Sequence, residues 1–95
     1  MSLTFEWDDP KAEENLRKHG VSFSEASTVF ADPLARTLAD PLRSDEEGRY
    51  VTMGHSQLLK CLVVVHTYRG DSIRMISARL ATPRERKNYE RGKES

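Results

Sequence analysis

The feature that most constrains the fold is a pair of strand-forming segments joined by Gly70-Asp71. "LLKCLVVVHTYR" over residues 58–69 is rich in β-branched residues, and "SIRMISARLA" follows the Gly-Asp pair. β-Branched residues favour strands, and a two-residue connection that begins with glycine favours a tight hairpin. The sequence therefore predicts an antiparallel hairpin at the centre of the fold.

The register of this hairpin predicts which side chains share a face of the sheet. One face pairs Arg69 with Ser72, Thr67 with Arg74, Val65 with Ile76, Val63 with Ala78 and Cys61 with Leu80. We expect this face to pack against helices. The other carries Tyr68, His66, Val64, Leu62 and Lys60 opposite Ile73, Met75, Ser77 and Arg79, and is predicted to bind RNA or protein or to be an ordinary, partly exposed face. Strict alternation puts Arg74 and Arg79 on opposite faces unless a one-residue bulge realigns them.

The remaining segments predict the other elements. Residues 3–7 alternate like a short strand, and residues 10–19 form a helix capped by Asp9. Ser22 and Glu25 have capping-box spacing for a second helix that stops at Asp32-Pro33. Strands follow in "LARTLAD" and "YVTMGH", separated by the flexible loop "PLRSDEEGR", and Thr82 caps a last helix. We expect one α+β domain over residues 1–95, with an antiparallel β-sheet of about four to five strands, two N-terminal helices, one C-terminal helix and a frayed tail over residues 91–95.

Charge is unevenly distributed along the chain. Residues 1–47 carry five Lys/Arg and eleven Asp/Glu, whereas residues 48–95 carry ten Lys/Arg and four Asp/Glu, so the halves have net charges of −6 and +6. This division favours a basic face that binds phosphates. The alternative is that the uneven charge has no functional role, because both halves belong to one small domain. The single cysteine, the short apolar runs and three scattered histidines favour a cytoplasmic protein without a disulfide, a membrane span, a metal site or a cofactor.

The order of several motifs resembles one family. "FEWDDPKAEENLRKHGVSFSEA", "VFADP", "EEGRYVTMG", "VVVHTYR" and "IRMISARLATPRERKNYE" together are similar to the BrnT family of bacterial toxins, which has the RelE-like ribonuclease toxin fold. The resemblance covers residues 5–89. It implies a toxin that cuts RNA and inhibits translation.

The resemblance also implies partners and site residues. The partner is a BrnA-type ribbon-helix-helix antitoxin that binds operator DNA, and the usual assembly is a heterotetramer of two toxins with an antitoxin dimer. The family's polar positions fall on Lys18, His19, Glu47, Arg49, Thr67, Arg69, Arg74, Arg79, Glu85 and Tyr89. One departure is Arg43-Ser44, where family members often carry His-Ser.

RNA cleavage without a metal needs stabilised phosphate charge and a group that moves protons. Arginine binds phosphate bidentately and keeps its charge, so the expected phosphate clamp is Arg69, Arg74 and Arg79. His19 is the first candidate for proton transfer and His66 the second. Lys18 and Arg49 are expected to bind substrate, and Tyr68 or Tyr89 to stack on a base.

Each of these residues also has a purely structural interpretation. His19 interacts favourably with a helix dipole, and Arg79 pairs with Glu85 or Glu47. Arg74 is then an exposed residue at the hairpin tip without a function. Tyr89 is then a core residue. The corresponding alternative function is a non-catalytic module that binds RNA or protein as partner or co-repressor of a DNA-binding antitoxin.

Overall fold

Five strands form one sheet in the computed structural model, which describes residues 3–40 and 48–94. The sheet order is β1-β5-β4-β3-β2. The strands are β1 (Thr4–Glu6), β2 (Arg36–Ala39), β3 (Arg49–His55), β4 (Cys61–Arg69) and β5 (Ser72–Leu80). The helices are α1 (Asp9–His19), α2 (Phe23–Ser27), which a 3₁₀ turn (Thr28–Ala31) continues, and α3 (Pro83–Glu94).

The α+β class, the five strands and the three helices confirm the predicted fold class. β2, β3, β4 and β5 pair antiparallel with one another, whereas β1 runs parallel to β5 with Thr4 opposite Ser72. The sheet is therefore mixed. β1 and β5 are neighbours in the sheet but lie far apart in the chain. The helices α1 and α2 and the strands β2, β3 and β4 come between them.

The Gly70-Asp71 hairpin forms with the predicted register near its turn and a different one further away. Arg69 lies opposite Ser72 and Thr67 opposite Arg74, as expected. Between His66 and Val65 the register shifts, because β5 contains a bulge at Ile76, so that Val65 lies opposite Ser77. A bulge inserts one residue and reverses the alternation beyond it. Arg74 and Arg79 therefore share a face.

The bulge also decides which face of the sheet is buried. It aligns Ile73, Met75 and Ala78, and these pack with Leu62 and Val64 of β4. The helical side of this core comes from α2 and its flanks, through Val21, Phe23, Ala26 and Val29. The Cys61–Val63–Val65 face, predicted to pack against the helices, does so only at its far end: Cys61 and Val63 are buried there, and His55 on the same face packs against Tyr89 of α3. The main core lies on the opposite face. We call the Cys61–Val63–Val65 side the outer face; Arg49, Thr67, Arg74 and Arg79 lie on it.

Local start signals explain the helix boundaries. The Ser22 hydroxyl accepts a hydrogen bond from the Glu25 N–H at 3.0 Å, and Asp32-Pro33 follows the 3₁₀ turn. At α3, Thr82 and Glu85 form the full predicted capping box. The N-cap of α1 is Asp8, one residue before the predicted Asp9, and its side chain makes no capping hydrogen bond. α3 continues to Glu94, and the frayed tail from residue 91 stays a prediction.

The side chain of Asn15 completes the edge of β5 where β1 ends. Its Oδ1 accepts from the Ala78 N–H at 3.0 Å, and its Nδ2 donates to the Ala78 carbonyl at 2.8 Å. The same Nδ2 donates to the Val21 carbonyl at 2.9 Å. A buried amide thus replaces a neighbouring strand and fixes α1 beside the bulge.

Replacing Asn15 with alanine should lower the free energy of unfolding by about 3 kcal/mol. Three hydrogen bonds are lost and the buried backbone groups of Ala78 are left without partners. Urea unfolding followed by circular dichroism measures the change. Glu13→Ala, on the exposed side of α1, is the matched control and should shift stability by less than about 0.5 kcal/mol. An equal effect of both variants would contradict the edge role of Asn15.

Candidate nucleic-acid interface

Cations from three elements gather on the outer face around the hairpin. Arg69 and Arg74 come from the two strands of the hairpin, and Arg49 lies on β3 opposite Thr67. Together with Lys11 of α1 they line one groove, floored by Thr67, Met75 and Ile76. We call it the basic groove. The groove forms because Thr67 lies opposite both Arg49 on β3 and Arg74 on β5, so the three side chains share one face of the sheet.

A second groove adjoins the basic groove along α1. Its lining residues are Lys11, Glu14, Asn15, Lys18, His19, Ile76 and Ser77. The two grooves share Lys11 and Ile76, so the basic groove continues along α1 to the predicted residues Lys18 and His19. Lys11 and Lys18 are seven residues apart, which is two helical turns. That spacing was the sequence signal by which Lys11 could have been found.

His19 is exposed at the last position of α1. The helix ends there because Gly20 adopts a left-handed conformation with φ 69°, and its N–H donates to the Leu16 carbonyl at 2.8 Å. The neighbouring Lys18 ammonium forms a 2.8 Å ion pair with Glu14 and lowers the pKa of that carboxyl. Both partners are largely exposed, so a phosphate can compete for Lys18 at little cost.

One carboxylate lies between the two arginines of the hairpin. Glu6 of β1 is opposite Arg74 in the parallel ladder, and its Oε1 is 3.6 Å from an Arg74 Nη1 and 3.5 Å from the Arg69 Nη1. These long contacts are partly exposed to solvent, so each contributes little to stability. Glu6 instead holds two guanidinium groups near each other at the mouth of the groove.

Arg79 has a different environment from the other arginines. Its two terminal nitrogens donate to the two oxygens of Glu85 at 2.8 and 3.0 Å. Bidentate, charge-assisted hydrogen bonds are stronger than neutral ones, and this pair lowers the pKa of Glu85 to about 2. Burial opposes that shift, and the Thr82 N–H adds to it. The structural ion pair considered for Arg79 therefore forms, with Glu85 as the partner. Glu47 and Arg43 lie outside the described residues.

His66 is not part of the basic groove. Its side chain is fully buried on the helix-facing side of β4, where Phe30 packs edge-on at 4.9 Å. Its Nε2 shares a 2.7 Å hydrogen bond with the Thr52 hydroxyl. Among the described residues, no group lies within hydrogen-bonding distance of Nδ1. Burial lowers the pKa of His66 from 6.5 to about 4, so the ring is neutral at pH 7.

The two predicted stacking tyrosines lie in separate places. Tyr68 is 51% exposed on the helix-facing side of the sheet, edge-on to Tyr50 and His66. Tyr89 is 2% exposed, and its hydroxyl donates to Asp32 Oδ2 at 2.5 Å. Tyr89 is thus a core residue of α3, and burial together with Asp32 raises the pKa of its hydroxyl.

His55 is a histidine that the sequence did not single out. The backbone N–H of His55 donates to Asp32 Oδ2 at 2.8 Å, and its ring packs edge-on against Tyr89 at 5.2 Å. It lies at the end of the sheet far from the hairpin, opposite Cys61. The sequence "YVTMGH" contains no signal that connects this histidine to Asp32. The contact depends on residues distant in the chain, Asp32 after the 3₁₀ turn and Tyr89 of α3.

In residues 3–40 and 48–94, no three His, Cys, Asp or Glu side chains lie together in a way that would hold a metal ion. No helix there is long and apolar enough to cross a bilayer.

Comparisons with known proteins give one family and one fold. The family model for the ribonuclease toxin BrnT of type II toxin-antitoxin systems matches residues 7–85. Among solved structures, the chain is similar to the Brucella abortus ribonuclease toxin BrnT, known from a 1.1 Å crystal structure, with a TM-score of 0.68 and 23% identity. The match covers 85% of this chain and 99% of that chain, and it shows a shared fold. A search of the curated proteins found no match.

The buried, neutral state of His66 predicts a loss of stability in mild acid. The unfolded chain binds a proton at His66 near pH 6.5, whereas the folded chain does so only near pH 4. The free energy of unfolding should therefore fall as the pH is lowered from 6.5 to 4, by about 3 kcal/mol from this residue. Urea titrations over this range measure the slope. His66→Gln should flatten it and the exposed His19→Gln should not; an unchanged slope in His66→Gln would refute this assignment.

Proposed function

Because the chain belongs to the BrnT family of ribonuclease toxins of type II toxin-antitoxin systems, we propose that it cuts RNA held in the basic groove. The observation that carries this proposal is the placement of Arg49, Arg69, Arg74 and Lys11 around one groove that continues to His19. Cations on four different elements converge there, and the carboxylate of Glu6 makes only long, partly exposed contacts with Arg69 and Arg74.

The arginines supply the electrostatic part of the reaction. Phosphodiester cleavage passes through a state with extra negative charge on the phosphate oxygens, and guanidinium groups bind such oxygens bidentately. Arg69 and Arg74 come from the two strands of one hairpin, so their backbones are fixed relative to each other. Arg49 and Lys11 bind the flanking phosphates, and Lys18 extends this track along α1.

Proton transfer in this proposal is carried by His19, and no metal ion takes part. The imidazole accepts the proton of a ribose 2′-OH, whose oxygen attacks the adjacent phosphorus. The new O2′–P bond forms as the P–O5′ bond breaks, and the departing 5′ oxygen takes a proton from water. The products are a 2′,3′-cyclic phosphate and a 5′-hydroxyl. Histidine suits this step because its ordinary pKa lies near neutrality.

Arg79 and Tyr89 act in this proposal as positioning residues. The Arg79–Glu85 pair holds the first turn of α3, and the Tyr89–Asp32 hydrogen bond holds its second. His66 supports the sheet beneath the groove from the buried side. Tyr68 is exposed beside the hairpin on the opposite side of the sheet and can stack on a base of a strand that passes the hairpin tip.

A type II family implies a protein antitoxin, and we propose the finer details of that partnership. The antitoxin is a BrnA-type ribbon-helix-helix protein, two toxins assemble with its dimer, and operator DNA is contacted through the antitoxin. The toxin acts in the cytoplasm, where RNA cleavage inhibits translation. A single domain over residues 1–95 performs the activity.

One observation favours a second function, that of a non-catalytic binding module. Within the described residues, the only histidine that lines either groove is His19, which is exposed at the end of α1 and makes no described hydrogen bond that would orient its ring. A groove of this kind binds RNA even if His19 transfers no proton. The two functions differ in whether bound RNA is cut.

Arg74→Ala should weaken binding of a short single-stranded RNA about tenfold and make its dependence on salt shallower by about 0.7 in log–log slope. Glu6→Gln should have the opposite effect on affinity, because it removes the carboxylate that competes with phosphate. Fluorescence anisotropy across a salt series measures both. Lys87→Ala on α3 removes an exposed cation outside the basic groove and serves as the control. Equal losses in Arg74→Ala and Lys87→Ala would place RNA elsewhere.

Purified chain, free of antitoxin, should cut RNA in the presence of EDTA. His19→Gln should slow this cleavage about a hundredfold while leaving RNA affinity within a few-fold of the original. Electrophoresis of end-labelled RNA measures the rate and also detects the cyclic phosphate end. His55→Gln carries the same substitution at the far end of the sheet and should cut normally. RNA that is retarded but stays intact with the unaltered chain would establish the binding module instead.

A further inference from the structure

The turn between β3 and β4 contains a strained residue with an exposed apolar side chain. Leu59 has φ 62° and is the only residue other than glycine with positive φ in residues 3–40 and 48–94. Branched side chains adopt this conformation rarely because Cβ approaches the following carbonyl oxygen. Leu59 is also 82% exposed, so its side chain gains little from burial within this chain.

The strained conformation is imposed by hydrogen bonds on both sides of Leu59. The Leu59 N–H donates to the Ser56 carbonyl at 2.8 Å, and the Ser56 N–H donates to the Lys60 carbonyl at 2.9 Å. Ser56 is itself buried, where its hydroxyl donates to Glu25 Oε2 at 2.8 Å. The Gln57 N–H donates to the Thr28 hydroxyl. The turn is therefore fixed to α2 and the 3₁₀ turn, and Leu59 is presented rigidly.

Glycine or asparagine would suit this position better than leucine if the fold alone mattered. Either residue tolerates positive φ at lower cost, and neither would lose a buried contact here. A strained backbone position is informative when it carries a side chain that the fold does not use. The leucine side chain therefore points to an interaction with another molecule.

The surroundings of Leu59 show what kind of molecule fits. Leu59 shares a groove with Leu80, which is 52% exposed, and the floor includes Cys61. Leu58, the next residue back along the chain, is 59% exposed. Lys60 and Arg86 flank the groove as cations, and Glu90 is its one carboxylate. We call Leu58, Leu59 and Leu80 with Lys60 and Arg86 the Leu59 patch.

We propose that the Leu59 patch is a docking surface for the antitoxin, through a segment whose apolar side chains are flanked by carboxylates. The inference rests on the proposed pairing of this chain with a protein antitoxin. Exposed aliphatic side chains on a rigid turn match the buried centre of a protein interface, and the two cations match acidic residues at its rim. RNA is the less suitable occupant, because bases stack on aromatic rings and arginine planes rather than on leucines.

The test uses the protein antitoxin of the proposed pair, and titration calorimetry measures its binding to this chain. Leu59→Asn should weaken binding about tenfold to a hundredfold, as expected for an apolar anchor that is buried on association. Lys60→Glu should weaken it further by opposing the acidic segment. The midpoint of urea unfolding of Leu59→Asn should equal or exceed that of the unaltered chain, and RNA cleavage should be unchanged.

Leu16→Gln and Leu38→Thr are the matched controls, since both leucines are exposed elsewhere, on α1 and on the edge strand β2. Wild-type affinity of Leu59→Asn for the antitoxin would overturn the proposal, as would a loss confined to Leu38→Thr, which would assign docking to β2. A Leu59→Asn variant that loses only RNA binding, or only self-association seen by light scattering, would assign the patch to those partners and overturn it too. If the unaltered chain binds no antitoxin but still cuts RNA, the pairing fails and the docking proposal fails with it, whereas the proposed RNA cleavage stands.

Discussion

The amide of Asn15 is the interaction on which the arrangement of the basic groove depends. β1 covers only the first three residues of β5, and past that point the edge of β5 has no neighbouring strand. The Asn15 side chain pairs with both backbone groups of Ala78, two residues beyond the bulge at Ile76. One side chain thus satisfies the edge and holds α1 against it. Lys11 lines the basic groove, and Lys18 and His19 line the adjoining groove, because all three lie on that helix.

The bulge at Ile76 and the amide of Asn15 act together. Without the bulge, Arg74 and Arg79 would face opposite sides of the sheet, and Ala78 would leave the core. With it, Ile73, Met75 and Ala78 all face the helices, while the polar residues of β5 face outward. A single inserted residue therefore produces the continuous core and brings Arg79 to the same face as Arg74. Bulges are common beside functional sites for this reason, since they redirect a side chain without a new element.

The arginines of the outer face differ in how firmly each is engaged. Arg79 uses both terminal nitrogens on Glu85, whose Oε1 also accepts from the Thr82 N–H that begins α3. Displacing Glu85 would break an ion pair and a helix cap together. Arg69 and Arg74 instead approach one oxygen of Glu6 at 3.5 and 3.6 Å with solvent access. A phosphate can take the place of Glu6 without disturbing any helix or strand, so charge and availability coincide at the hairpin end.

Local sequence signals predicted most elements, and non-local contacts decided the rest. Three of these signals act within a few residues of the chain, and the elements they form could therefore be predicted. They are the Gly70-Asp71 turn, the Thr82–Glu85 capping box and the β-branched residues of β4. The bulge could not be predicted, because Ile76 and Ser77 fit a regular strand equally well. Its position depends on which of two apolar faces of β4 meets the helices. The burial of His66 and the Asp32–His55–Tyr89 cluster depend on the same choice, and so could not be predicted either.

The basic groove and the Leu59 patch lie at opposite ends of β4 and differ in chemistry. Thr67 in the basic groove and Cys61 at the Leu59 patch are six residues apart on β4, a distance of about 20 Å along a strand. A partner that bound only at the Leu59 patch would leave the cations around Arg74 open to RNA. Half-buried Val65 and Ser77 lie between the two ends, and an extended peptide of about six residues spans that distance. Direct inhibition from the Leu59 patch therefore requires a segment that continues over these residues and places carboxylates among the arginines.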